Sequence, residues 1–112
     1  MNDPDKWGKD PAVRAMRDIF RAMERAQNDF LGQMDIVPYD IRIRNWREKA
    51  LAIFERAWGS ANRIGVDMNA RTAPEIYTRC LASVMASDGV KIPDSMLSPG
   101  GILETLLKEV LK

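Results

Sequence analysis

The sequence predicts an all-α fold: a single, four-helix bundle-like domain with two long helices followed by two shorter ones. Three observations carry this. Apolar residues recur in steps of three and four over long stretches, which is the signature of one-sided helices. No stretch alternates with period two for long enough to make a strand. Start and stop signals for helices fall at the ends of the periodic stretches. At 112 residues the chain can close one core but not two. The expected division is a flexible N-terminal tail over residues 1–10 and one helical domain over 11–112.

The tail is polar apart from Trp7, whose indole either folds back onto the domain or docks a partner. It has no apolar centre and does not read as a secretory signal. Helix 1 follows, with Asp10 as cap and Pro11 at the first position, where a missing N–H costs nothing. Its stripe is Val13, Met16, Ile19, Phe20, Met23, Ala26, Phe30, Leu31 and Met34. At 3.6 residues per turn these positions cover about 140°, wide enough for a buried face. Gln27 interrupts the stripe, and Gly32 weakens the last turn.

Gln33 to Tyr39 reads as a connector, with Pro38 turning Val37 away from helix. Helix 2 is expected from about Asp40 to Ile64. Its apolar set (Ile43, Trp46, Ala50, Leu51, Ile53, Phe54, Ala57, Trp58, Ala61, Ile64) spans about 160°, more than one neighbour requires. Helix 2 is therefore either central and touched on two sides, or keeps a strip for another chain. Gly59-Ser60 suggests a bend, and Gly65-Val66 a left-handed stop. Thr72 with Glu75 reads as a capping box opening helix 3, which carries Ile76, Tyr77, Cys80, Leu81, Val84 and Met85 and ends at Asp88-Gly89. Lys91 to Leu97 reads as irregular. Ser98-Pro99 opens helix 4, with Ile102, Leu103, Leu106, Leu107, Val110 and Leu111 as its stripe. Short connectors favour helices 1 and 2 as antiparallel neighbours.

Composition narrows the function classes. The chain is 46% hydrophobic and 29% charged with formal net charge +1, so no overall field draws it to a polyanion. The charge is uneven: ten Lys+Arg against seven Asp+Glu between Pro11 and Gly65, then five against six from Val66 to Lys112. A single cysteine, Cys80, permits no internal disulfide and fits a reducing, cytoplasmic setting. It lies on an apolar face and reads as a small buried hydrophobe. No apolar run approaches a membrane span, so no membrane partner is expected.

The residues offer little chemistry. There is no histidine, which removes the default general base and the commonest metal ligand. Asp3, Asp5 and Gly8 echo a calcium loop, but Arg14 stands where its glutamate belongs, and Asp67-Met68-Asn69 fails at Arg71. No catalytic residue, cofactor site or metal site is assigned, and the reading leans away from an enzyme. Ser98-Pro99-Gly100-Gly101 has the free amides of an anion site but lacks the lysine and hydroxyl of a phosphate loop, and ordinary capping accounts for it.

Two surfaces remain as binding candidates. Arg14, Arg17, Arg21 and Arg25 lie on one face of helix 1 opposite its stripe, with Asp18, Glu24 and Asp29 placed to answer part of that charge. Arg42, Lys49, Arg56 and Arg63 form a second basic line on helix 2 at seven-residue spacing. Together these are a candidate surface for an anion or an acidic partner, with bridges from helix 1 to Glu48 or Glu55 as the architectural alternative. The second surface is apolar: Leu51 and Trp58 on the surplus arc of helix 2.

Trp46, although set among arginines, belongs to the core rather than to a base-stacking platform. The methionines Met16, Met23 and Met34 suit core filling or an adaptable groove. The expected function is a cytoplasmic helical protein-interaction module (a subunit, adaptor or regulator), non-catalytic and self-associating, with a homodimer as the simplest partner. The alternatives are nucleic-acid binding through the arginine-rich faces, which is not favoured, and a small apolar ligand held among Met, Trp and Tyr77.

Overall fold

The computed structural model describes residues 10–37, 40–97 and 101–111. These form α1 (Pro11–Gln33), α2 (Ile41–Ile64), α3 (Thr72–Ser87), α4 (Asp94–Leu97) and α5 (Gly101–Val110). The fold is all-α, as the periodicity requires. Residues of the expected tail before Asp10, Trp7 among them, lie outside the described residues, as do Pro38, Tyr39 and the Ser98-Pro99-Gly100 helix start with its anion site.

Helix ends follow local chemistry. The Ala12 amide donates to the Asp10 carboxylate at 2.9 Å, and Pro11 takes the first position of α1. The Arg42 amide donates to Asp40 in the same way at 2.9 Å, opening α2. α2 closes at Gly65, whose φ of 79° is left-handed, and the Val66 amide donates to the Ala61 carbonyl at 2.9 Å. Gly89 (φ 86°) with Val90 closes α3 similarly, the Val90 amide reaching the Met85 carbonyl at 3.0 Å. At the end of α1 the left-handed position falls on Asp35 (φ 56°), not on a glycine, and the Ile36 amide donates to the Leu31 carbonyl at 3.0 Å. In all three endings the residue after the left-handed position (Ile36, Val66, Val90) packs against the core.

The capping box expected at Thr72 and Glu75 does not form. Asn69 caps α3 instead: its Oδ1 accepts from the Arg71 amide at 2.8 Å and the Thr72 amide at 3.1 Å. The Thr72 hydroxyl is turned back into the loop, donating to the Asp67 carbonyl at 2.6 Å and accepting from the Asn69 amide at 3.0 Å. Glu75 faces Arg79 one turn on, at 3.4 Å. An asparagine whose short amide can reach two free N–H groups outcompetes a threonine already committed to its own loop. The stretch Lys91–Leu97, expected to be irregular, contains the single turn α4. α2 runs unbroken through Gly59-Ser60, where buried Ser60 accepts from Arg63 at 3.0 Å.

α3, not α2, is the hub. α1, α2, α4 and α5 all pack on it, and α5 also packs on α2. Its buried set runs almost round the helix: Ala73, Ile76, Tyr77, Thr78, Cys80, Leu81, Ala82, Val84 and Met85. A helix apolar on all sides belongs in the middle of a fold. Thr78 is accommodated because its hydroxyl donates to the Pro74 carbonyl at 2.7 Å. The expected packing of helix 1 directly on helix 2 is overturned: each lies on α3, and the two do not pack closely on one another. The breadth of α3 holds them apart.

Candidate functional site

The separation of α1 from α2 leaves a groove. Its first hollow, of about 300 Å³, is lined by Met16 and Phe20 from α1 and by Leu51, Phe54, Glu55, Trp58 and Gly59 from α2. A second hollow of about 220 Å³ adjoins it, lined by Phe20, Met23, Glu24 and Gln27 of α1, Arg47 and Leu51 of α2, and Tyr77 of α3. Phe20 and Leu51 line both. The shared linings fix the direction of the two helices: Met16 stands at the Trp58 end and Gln27 at the Arg47 end, so α1 and α2 run antiparallel across the gap.

The floor is rigid. Phe54 is buried and meets Trp58 edge-on at 5.7 Å and Tyr77 edge-on at 6.0 Å. Such edge-to-face contacts fix ring orientation as well as burying area. The Tyr77 hydroxyl donates to Gln27 Oε1 at 2.6 Å, with both residues buried. That bond explains how a glutamine interrupts the α1 stripe without penalty. Burial pushes the Tyr77 hydroxyl pKa up, against the opposing pull of nearby Arg47.

The walls are wet. Met16 is 40% exposed and Phe20 51% exposed, so the part of the α1 stripe expected to be core faces solvent across the groove. Leu51 and Trp58, the expected apolar interface, are half-buried in the opposite wall. The surplus arc of helix 2 thus has two uses: its flanks meet α3 and α5, and its remaining strip faces the gap. Sequence reasoning found Leu51 and Trp58 from that surplus. It offered Met16 for core filling or an adaptable groove, and it did not single out Phe20, Glu55 or Arg47 because it placed helix 1 against helix 2.

The arginine face of α1 lies in solvent. Arg14, Arg17, Arg21 and Arg25 are all exposed. Arg17, Arg21 and Arg25 make no ion pair among the described residues; neither Glu48 and Glu55 across the gap nor the neighbouring Asp18, Glu24 and Asp29 hold them. Glu48 lies 3.9 Å from Arg44 on its own helix, both largely exposed. The helix 2 line is dispersed. Arg42 is bound to Asp40 at 2.7 Å and lies over the Trp46 ring at 5.0 Å; its guanidinium, hydrogen-bonded to Asp40, holds that carboxyl down at about 2. Arg56 and Arg63 line a hollow of about 490 Å³ with Glu109 and Val110 of α5. Lys49 is exposed. Arg56 and Arg63 therefore turn towards α5, which packs on α2 and not on α1.

Trp46 is fully buried and its Nε1 donates to Asp88 at 2.5 Å, which rules out base stacking by that ring. Cys80 is buried and its thiol is pushed up to about 12, chiefly by desolvation, so it is not a nucleophile at neutral pH. Among the described residues no group of acidic or cysteine side chains could hold a metal, and no helix is long and apolar enough to cross a membrane. The site is thus an apolar cleft with charged shoulders on a helical module. No family model, curated protein or solved structure matches the chain.

Proposed function

We propose that the protein is a non-catalytic helical interaction module that self-associates through the groove between α1 and α2. The observation that carries this is the exposure of Met16 and Phe20 opposite half-buried Leu51 and Trp58. Large apolar side chains gathered in one cleft are the usual mark of a surface that another chain covers. A small apolar ligand would draw on the same walls, but it would leave the outer halves of Met16 and Phe20 in water, whereas a second chain buries them. The buried, unpaired Cys80 is in keeping with a cytoplasmic setting. Nucleic-acid binding is the weaker reading because Arg56 and Arg63 turn towards α5, which does not pack on α1.

The test is sedimentation velocity or light scattering at tens of micromolar, comparing the wild-type chain with Phe20→Ser/Leu51→Ser. The wild type should behave as a dimer and the variant as a monomer with an unchanged helical spectrum. A monodisperse wild-type monomer over that range refutes the reading.

A further inference from the structure

Each shoulder of the groove carries charges of both signs, and their order along the helices is specific. Helical spacing puts Arg17, Arg21 and then Glu24 on the solvent side of Phe20 on α1, and Arg44, Glu48 and Glu55 on the solvent side of Leu51 on α2, with Arg47 beyond; of these Glu24, Glu55 and Arg47 line the hollows, and all are exposed. Phe20 and Leu51 share a level because both line both hollows. With a helical rise of about 1.5 Å per residue, Arg17 and Glu55 stand about 4.5 and 6 Å from that level towards the Trp58 end. By the same rise, Arg21 and Glu48 stand about 1.5 and 4.5 Å from it in the other direction, and Glu24 and Arg47 about 6 Å. Arg17 and Arg21 each have an acid at a similar level on the other shoulder and Glu24 has Arg47, whereas Arg44, about 10.5 Å from the shared level, is 3.9 Å from Glu48 on its own helix. Within one protomer the gap keeps them apart, and Arg17, Arg21, Glu24 and Glu55 make no ion pairs among the described residues.

Resting on the self-association reading above, we propose that two copies join groove to groove about a two-fold axis running along the groove. That axis sets α1 of one protomer over α2 of the other at equal height. It pairs Arg17 with the partner's Glu55, Arg21 with the partner's Glu48, and Glu24 with the partner's Arg47. The alternative two-fold, across the groove, lays α1 antiparallel on α1 and α2 on α2; centred on the Phe20–Leu51 level it opposes Arg17 to the partner's Glu24 but sets Arg21 near its own copy and Glu48 near the partner's Glu55, like-charge contacts that interfaces select against. Phe20 and Met16 of each copy then lie on the Leu51–Trp58 wall of the other, and each pairing occurs twice, as an isologous interface requires.

The test uses two charge-reversed full-length variants, Arg17→Glu/Arg21→Glu and Glu48→Arg/Glu55→Arg, all at exposed positions. Each variant alone should self-associate at least about tenfold more weakly than wild type, because every reversed shoulder meets its like. An equimolar mixture should recover wild-type affinity as a heterodimer, recognisable by mass in native mass spectrometry, since reversed α1 then faces reversed α2. A wild-type chain that stays monomeric overturns the self-association reading and this arrangement with it. A wild-type dimer whose charge-reversed variants associate unchanged, or fail to recover on mixing, overturns the two-fold arrangement while leaving the groove as the contact.

Discussion

Replacing Tyr77 by phenylalanine removes one oxygen from the middle of the molecule. The hydroxyl donates to Gln27 Oε1 at 2.6 Å, and the two residues are 2% and 5% exposed. The ring and its contact with Phe54 survive, so packing changes little. What is lost is the bond, and what remains is a buried amide oxygen without a donor. A buried acceptor left unpaired costs about 1–3 kcal/mol. The adjoining hollow beside Gln27 can admit water, which places the cost in the lower half of that range, about 1–2 kcal/mol. For a domain of this size that lowers Tm by about 4–10 °C. Urea unfolding followed by tryptophan fluorescence measures it, at one fixed protein concentration so that self-association does not shift the midpoint. Gln27→Leu in the Tyr77→Phe background should recover part of the loss, because both partners are then apolar; the coupling in the double-mutant cycle should be at least about 0.5 kcal/mol. A Tyr77→Phe protein within about 0.3 kcal/mol of wild type, or strict additivity with Gln27→Leu, would refute the claim that this bond anchors α1 to α3.

Two further outcomes follow from the helix ends and the core. Asn69→Ala should destabilise the protein by about 1 kcal/mol through loss of the α3 cap, whereas Glu75→Ala should cost less than about 0.5 kcal/mol because its ion pair with Arg79 is local. Chemical denaturation of the two variants side by side checks this, and the reverse order would restore the capping box. Burial raises the folded-state pKa of Cys80 from 9.0 to about 12, so the unfolded chain releases its thiol proton first. Stability should be fully present below 9.0 and fall as pH rises from there towards about 12. The limiting slope is about 1.4 kcal/mol per pH unit. Cys80→Ala should flatten that slope until the raised tyrosine begins to contribute, and an unchanged urea-midpoint profile would show that the thiol is not the group responsible.

The sequence made some of this legible and hid the rest for definable reasons. Asp10-Pro11 and Gly65-Val66 mark their helix ends because capping is decided within a few residues. The end of α1 was harder: the left-handed position fell on Asp35, while Gly32 sits inside the helix. The surplus apolar arc of helix 2 has its counterpart in contacts with both α3 and α5 and in Leu51 and Trp58 along the groove. The neighbour of helix 1 is not legible in this way, because connector length limits which helices can touch but does not choose among them. The deciding quantity was the all-round burial of α3, and its small residues Ala73 and Ala82 carry no obvious stripe. Whether Arg17, Arg21 and Arg25 are paired depended on that same neighbour relation, so no local pattern could settle it.

The hub arrangement has a mechanical consequence. Among the described helices α1, like the single turn α4, rests on α3 alone, whereas α2, α3 and α5 each pack on the other two. Lifting α1 as a unit would break its packing on α3 and leave α2, α3, α4 and α5 joined. The width of the cleft and the seating of α1 are one coordinate. Anything that fills the cleft gives α1 a second support besides α3, so occupancy of the groove and the firmness of the fold rise and fall together.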